Sequence, residues 1–95
     1  MKVIITKVDR LGIMDLRGMK SYMETRGFDK AYVIVKFSPH PNVVKFAKEM
    51  KNIEIIESKN YKEVLAQIRE KEIGNDIFEI DMYSMSERRF ASDAD

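Results

Sequence analysis

The chain contains no cysteine and no long hydrophobic run. Without cysteine it forms no disulfide, holds no metal through thiolates and has no thiol nucleophile, and a cytoplasmic location is favoured. No apolar stretch approaches the roughly 20 residues that a membrane-spanning helix needs, so we do not expect an integral membrane protein. Residues 1–5 are too few, and too soon followed by polar side chains, to form a signal peptide.

Glycine is scarce, and its positions argue against two classes of site. The four glycines are Gly12, Gly18, Gly27 and Gly74. They form neither a G-x-G-x-x-G nor a Walker arrangement, so no phosphate-binding loop is indicated. A serine hydrolase would have to combine Ser38, His40 and Asp9. However, the first two are only two residues apart across a proline turn, and the chain lacks a G-x-S-x-G nucleophile elbow.

Charge of one sign is not in excess overall, but it is unevenly distributed. The net charge is +1, which argues against strong nonspecific binding of polyanions. Residues 1–51 carry eleven Lys and Arg against five Asp and Glu, whereas residues 52–95 carry six against eleven. This asymmetry permits a basic face opposite an acidic one, although a mixed, solvated surface is the simpler interpretation.

Apolar, β-branched segments alternate with segments of helical spacing along most of the chain. Residues 31–37 and 53–56 are near-continuous apolar runs, and the interval between them has helical periodicity. Strands that alternate with helices at this spacing predict a buried parallel sheet. We therefore predict an α/β fold: a small open sheet of three parallel or mixed strands and a C-terminal edge strand, flanked by three helices. The three strands are expected at about 2–8, 31–37 and 53–57, and the helices at about 13–26, 41–50 and from 61 to a stop at Gly74-Asn75.

The C-terminal part has a different pattern. Apolar and polar side chains alternate within 77–83, which predicts a strand buried on one face only. Residues 84–95 lack periodicity and are expected to form a flexible tail, so a single domain is predicted over residues 1–83. A short sheet of this kind leaves an open edge, which natural proteins normally cover. We therefore predict a homodimer or a complex with a protein partner.

Charged and polar residues follow the three predicted strands. Ligands of open α/β sheets bind beyond the carboxyl ends of the strands. The residues expected there are Lys7, Asp9, Arg10, Lys36, Ser38, His40, Glu57, Ser58 and Lys59. Six basic side chains are candidates for contact with nucleic-acid phosphates: Lys7, Arg10, Arg17, Lys36, Lys45 and Lys48. Asp9 and Glu57 are the candidate metal ligands, although two carboxylates beside several lysines are more typical of ion pairs.

Several segments of the chain resemble segments of known protein families. Residues 13–19, 28–35, 37–39, 46–49 and 52–57 resemble the distal half of Mrr-type restriction-endonuclease-like domains, and the match spans about residues 2–68. This resemblance implies a truncated restriction-endonuclease-like fold in a system that handles DNA or RNA. Residues 12–19, 33–35 and 38–43 are also similar to the N-terminal, nuclease-like module of the common fifth subunit of eukaryotic RNA polymerases, a non-catalytic scaffold.

The resemblance also indicates where a catalytic site would lie. The Glu/Gln-x-Lys motif of the Mrr-type domains falls on Ile5-Thr6-Lys7, so the lysine is present and an isoleucine replaces the metal-ligating residue. The strand that bears the catalytic aspartate would precede the first residue. Metal-dependent hydrolysis needs those oxygen ligands. We therefore expect a non-catalytic, nuclease-like module that contacts nucleic-acid phosphates or serves as a protein scaffold, with no cofactor.

An enzymatic alternative remains. A second chain could supply the missing carboxylates of a Mg²⁺-dependent nuclease. Lys7 would then orient the attacking water, and Asp9 or Glu57 would ligate the metal.

Overall fold

The alternating segments form an entirely parallel sheet with helices on both faces. The computed structural model describes residues 1–88. Within this range the strands are β1 (Lys2–Val8), β2 (Lys30–Val35), β3 (Ile53–Glu57) and β4 (Asp76–Glu79), and the helices are α1 (Ile13–Arg26), α2 (Pro41–Met50), α3 (Tyr61–Lys71) and α4 (Met82–Met85). The strand order is β3-β2-β1-β4, and every neighbouring pair is parallel. The predicted α/β class is confirmed, with a fourth, one-turn helix in addition to the three expected.

The strand order explains how the helices are distributed. Successive parallel strands are joined by right-handed crossovers, so α1 and α2 share one face, and the return from β3 to β4 places α3 on the other. The α1–α2 face covers a core that includes Ile4, Leu16 and Val33. The α3 face covers a second, smaller cluster that includes Ile5 and Tyr32. No helix of residues 1–88 is long and apolar enough to cross a membrane.

The predicted boundaries are confirmed at the end of α1 and at the starts of α2 and α3, whereas α3 ends at Lys71, before the predicted stop at Gly74-Asn75. Gly27 ends α1 in the left-handed region, with φ of 72°, which glycine adopts at little cost. Pro41 is the first residue of α2. At the start of α3, the Asn60 side chain accepts a hydrogen bond from the Glu63 backbone N–H at 3.2 Å and donates to its carboxylate at 3.1 Å.

The prediction of a strand over 77–83 is wrong in its second half. The strand β4 ends at Glu79, and after Asp81 the chain turns into α4, where Met82 and Met85 are buried against α1. The Asp81 side chain caps this turn by accepting a hydrogen bond from the Tyr83 N–H. Of the predicted tail, residues 84–88 pack on α1, and residues 89–95 lie outside the described range.

A buried carboxylate fastens the end of the described chain to α1. Asp15 is fully buried, and its Oδ2 accepts a hydrogen bond from the Gly12 N–H at 2.8 Å. Its Oδ1 accepts bonds from the Ser86 hydroxyl at 2.6 Å and from Arg88 Nε at 2.7 Å. These bonds compensate the carboxylate for its lost hydration, and they couple the first turn of α1 to a segment more than 70 residues away.

The sheet has an unpaired edge at β3. Ala31 N–H bonds to the Asn52 carbonyl and Ser58 N–H to the Val35 carbonyl, so the even-numbered residues of this segment face β2. The N–H and C=O groups of Ile53, Ile55 and Glu57 therefore point away from the sheet, and no strand of residues 1–88 pairs with them. The homodimer or protein partner stays a prediction, and this edge is a place where strand addition would occur.

Replacing Thr6 with valine is expected to stabilise the protein. Thr6 is 2% exposed, and among the described residues no hydrogen-bond partner reaches its Oγ1. A buried hydroxyl without a partner costs free energy that an apolar group of the same shape does not. We expect Thr6→Val to raise the free energy of unfolding by about 1 kcal/mol in urea denaturation. Thr6→Ala, which leaves a void, should lower it, and a Thr6→Val protein less stable than the wild type would contradict the assignment.

Candidate functional site

A cleft opens at the edge of the sheet where the strands end, here called the carboxyl edge. The turns after β1 and β2 are held side by side, because Lys36 N–H donates to the Val8 carbonyl at 3.3 Å and Phe37 N–H to the Asp9 carbonyl at 3.1 Å. The loop from β3 to α3 begins beside them, where Ser58 N–H donates to the Val35 carbonyl at 2.8 Å. It leads to α3 on the opposite face from α2, and the cleft lies between these loops.

Positive charge dominates the cleft, which has a volume of about 320 Å³. Its lining residues are Lys7, Val8, Asp9, Ile34, Lys36, Ser58, Lys59 and Tyr61. Three lysines thus face one carboxylate. None of the three forms an ion pair with another residue of the described range 1–88. Their charges are therefore available to an anionic ligand.

Tyr61 forms one wall of the cleft and is fixed at both ends. As the first residue of α3 its backbone is set by the Asn60 cap, and its hydroxyl donates to Glu79 Oε1 at 3.1 Å. The Lys7 Nζ lies 4.7 Å from the centre of the Tyr61 ring, a cation–π distance. Burial raises the pKa of the Tyr61 hydroxyl, and the hydrogen bond to the Glu79 carboxylate raises it further. The phenol therefore stays protonated at neutral pH.

A second aromatic ring follows the cleft along the carboxyl edge. Phe37 is 37% exposed, with the Arg10 guanidinium carbon 4.6 Å and the Lys36 Nζ 5.7 Å from its ring centre. Cations and rings thus succeed one another from the cleft to the turn after β1. We call Tyr61, Lys7, Lys36, Phe37 and Arg10 the basic–aromatic row.

The structure brings together only half of the basic residues expected to contact phosphate. Lys7, Arg10 and Lys36 belong to the basic–aromatic row. Arg17 lies on α1, where its Nε is 3.6 Å from a Glu87 carboxylate oxygen. Lys48 lines a separate groove beside β3.

The sequence pattern predicts Lys59 at this edge but not among the phosphate contacts. It predicts no binding role for Tyr61. Lys45, in the middle of α2, is not among the residues that line the cleft.

The Ser38 hydroxyl and the His40 imidazole at this edge are each bonded to another residue and not to one another. The Ser38 hydroxyl donates to Glu57 Oε1 at 2.6 Å, and His40 Nδ1 accepts from the Asn42 N–H at 3.0 Å to cap α2. Asp9 lines the cleft, whereas Glu57 does not. In the described part of the chain no three His, Cys, Asp or Glu side chains are grouped closely enough to hold a metal ion.

Comparison with known proteins found no family model, curated protein or solved structure that matches this chain. The resemblance to Mrr-type domains and to the RNA polymerase module therefore stays a prediction. The geometry of the carboxyl edge is the observation from which a function can be proposed.

Proposed function

We propose that this protein binds nucleic acid through the phosphates of its backbone, as a non-catalytic module that uses the cleft at the carboxyl edge. The observation that carries the proposal is the convergence of Lys7, Lys36 and Lys59 on one cleft without an ion pair to any of them in residues 1–88. Phosphates attract such a set of cations irrespective of base sequence. Arg10 extends the positive charge along the row.

Local burial supports a non-catalytic role. In the motif that the sequence resembles, the metal-ligating position falls on Ile5, and its side chain is fully buried in the cluster covered by α3. It offers no oxygen to a cation. The one carboxylate in the cleft, Asp9, would hold a divalent ion poorly, because Mg²⁺ sites normally combine carboxylates with further oxygen ligands.

The number of cations sets the expected salt dependence. Four basic side chains would contact phosphate: Lys7, Arg10, Lys36 and Lys59. Each phosphate contact with a single strand contributes about 0.7 to the slope of log affinity against log salt, so the slope should be about −2.8. A fourfold rise in salt concentration then weakens binding by about 50-fold.

Fluorescence anisotropy with a labelled 12-nucleotide strand tests this proposal. Titrations between 50 and 200 mM NaCl should give a steep, linear dependence of log affinity on log salt, with a slope between about −2 and −3. The result should not depend on base sequence. Absence of binding at 50 mM NaCl, or an affinity that does not change with salt, would remove the proposal.

A further inference from the structure

We propose that the nucleic acid bound at the carboxyl edge is single-stranded, and that its bases leave their own stack to lie on Phe37 and beside Tyr61. This inference rests on the proposed function and specifies its ligand. The observation that supports it is the presence of two aromatic rings beside the cations of the basic–aromatic row. A surface that merely attracts phosphate needs the cations but not the rings.

Phe37 is the more exposed of the two rings in the basic–aromatic row. Among residues 1–88 it is one of the few large apolar side chains with more than a third of their surface exposed, and it belongs to neither core cluster. Two cations lie at cation–π distance from its ring, the Arg10 guanidinium and the Lys36 ammonium group. An exposed ring next to a planar guanidinium is a surface on which a nucleobase can stack.

Tyr61, unlike Phe37, lines the cleft itself, and it has a structural role as well. Its ring packs against the α3-side cluster, and its hydroxyl is bonded to Glu79. Substitution at Tyr61 would therefore disturb α3 together with any ligand. Phe37 lacks these ties, so it is the better position for a test.

The small size of the cleft favours an unpaired strand. A volume of about 320 Å³ lies at the small end of ligand pockets, which favours one nucleotide unit at a time. In a duplex the faces of the bases are covered by their neighbours, so a duplex can offer its phosphates to the lysines but no base to Phe37. A single strand can offer both, which predicts tighter binding of the single strand.

One pair of ligands and three variants test the inference. A labelled 12-nucleotide strand and the same strand annealed to its complement are titrated by anisotropy in 50 mM NaCl. The single strand should bind at least about tenfold more tightly than the duplex. Phe37→Ala should weaken single-strand binding by about tenfold while leaving the salt slope and the duplex affinity unchanged.

The other two variants separate stacking from charge. Lys36→Ala should weaken the binding of both ligands and make the salt slope for the single strand less steep by about 0.7. Tyr83→Ala removes an aromatic ring that is 57% exposed and outside the row, and it should change neither affinity. Circular dichroism and thermal melting of each variant confirm that it is folded.

The outcomes of these titrations distinguish base stacking by a single strand from phosphate binding alone. Salt-dependent binding of strand and duplex with equal affinity, unaffected by Phe37→Ala, would overturn the single-strand inference and leave phosphate binding intact. Failure of both ligands to bind would overturn both. If Phe37→Ala weakens single-strand binding and also makes the salt slope less steep, the ring only positions Arg10 and Lys36. That result also overturns the stacking role.

Discussion

Gly18→Ala is expected to destabilise the protein by about 2–4 kcal/mol, although alanine normally favours a helix over glycine by about 1 kcal/mol. A Cβ atom at Gly18 would lie 2.0 Å from the Met85 carbonyl oxygen and 2.9 Å from the Glu87 nitrogen. Both are backbone atoms, so the substitution forces the segment 82–88 away from α1. The burial of Met82 and Met85 is then lost in part.

Urea denaturation measures this effect, and Gly12→Ala is the matched control. A Cβ at Gly12 would meet only a side-chain oxygen of Asp15, at 3.8 Å, so that variant should lose less than about 1 kcal/mol. Because the intrinsic helix preference has the opposite sign, the expected result cannot come from propensity alone. A Gly18→Ala protein as stable as the wild type would show that residues 82–88 do not pack on α1 in this way.

Reversing two charges in the cleft is expected to abolish most nucleic-acid binding. Lys7→Glu combined with Lys36→Glu removes two phosphate contacts and introduces two repulsive charges. We expect the affinity for a 12-nucleotide strand at 50 mM NaCl to fall by at least about 100-fold. The salt slope should become less steep, from about −2.8 to about −1.4. Anisotropy titrations across the salt series measure both quantities.

The control for this variant changes the net charge by the same amount elsewhere. Lys45→Glu combined with Lys48→Glu alters two residues that the sequence suggested for phosphate contact and that do not line the cleft. This variant should keep a salt slope close to that of the wild type. Equal losses in the two double variants would mean that net charge, and not the cleft, governs binding.

The order of the elements was predictable because it depends on local chemistry. The apolar runs 31–37 and 53–56 overlap the β2 and β3 strands over most of their length, and Gly27, Pro41 and Asn60 mark helix ends by their own backbone or capping preferences. The position of the cleft also followed, because the carboxyl ends of parallel strands share one edge.

The details that could not be predicted depend on contacts distant in sequence. The alternation within 77–83 is the pattern of a strand, and only packing of Met82 and Met85 on α1, beside the Cβ-free Gly18, turns the chain into α4. Similarly, Lys45 and Lys48 share a helix that begins at the carboxyl edge. That helix runs away from the cleft, so proximity in sequence to Lys36 did not bring them to it.

Titrating the ¹⁵N-labelled protein with the 12-nucleotide strand, and following the amide signals by NMR, tests binding at the carboxyl edge most directly. Binding in the cleft should shift the amides of residues 7–10, 36–37 and 58–61 most strongly, and the shifts should diminish as salt is added. The amides of Lys45 and Lys48 should change little. Absence of shifts at 50 mM NaCl, or shifts concentrated on α2 and the β3 edge, would contradict the assignment of this cleft as the nucleic-acid site.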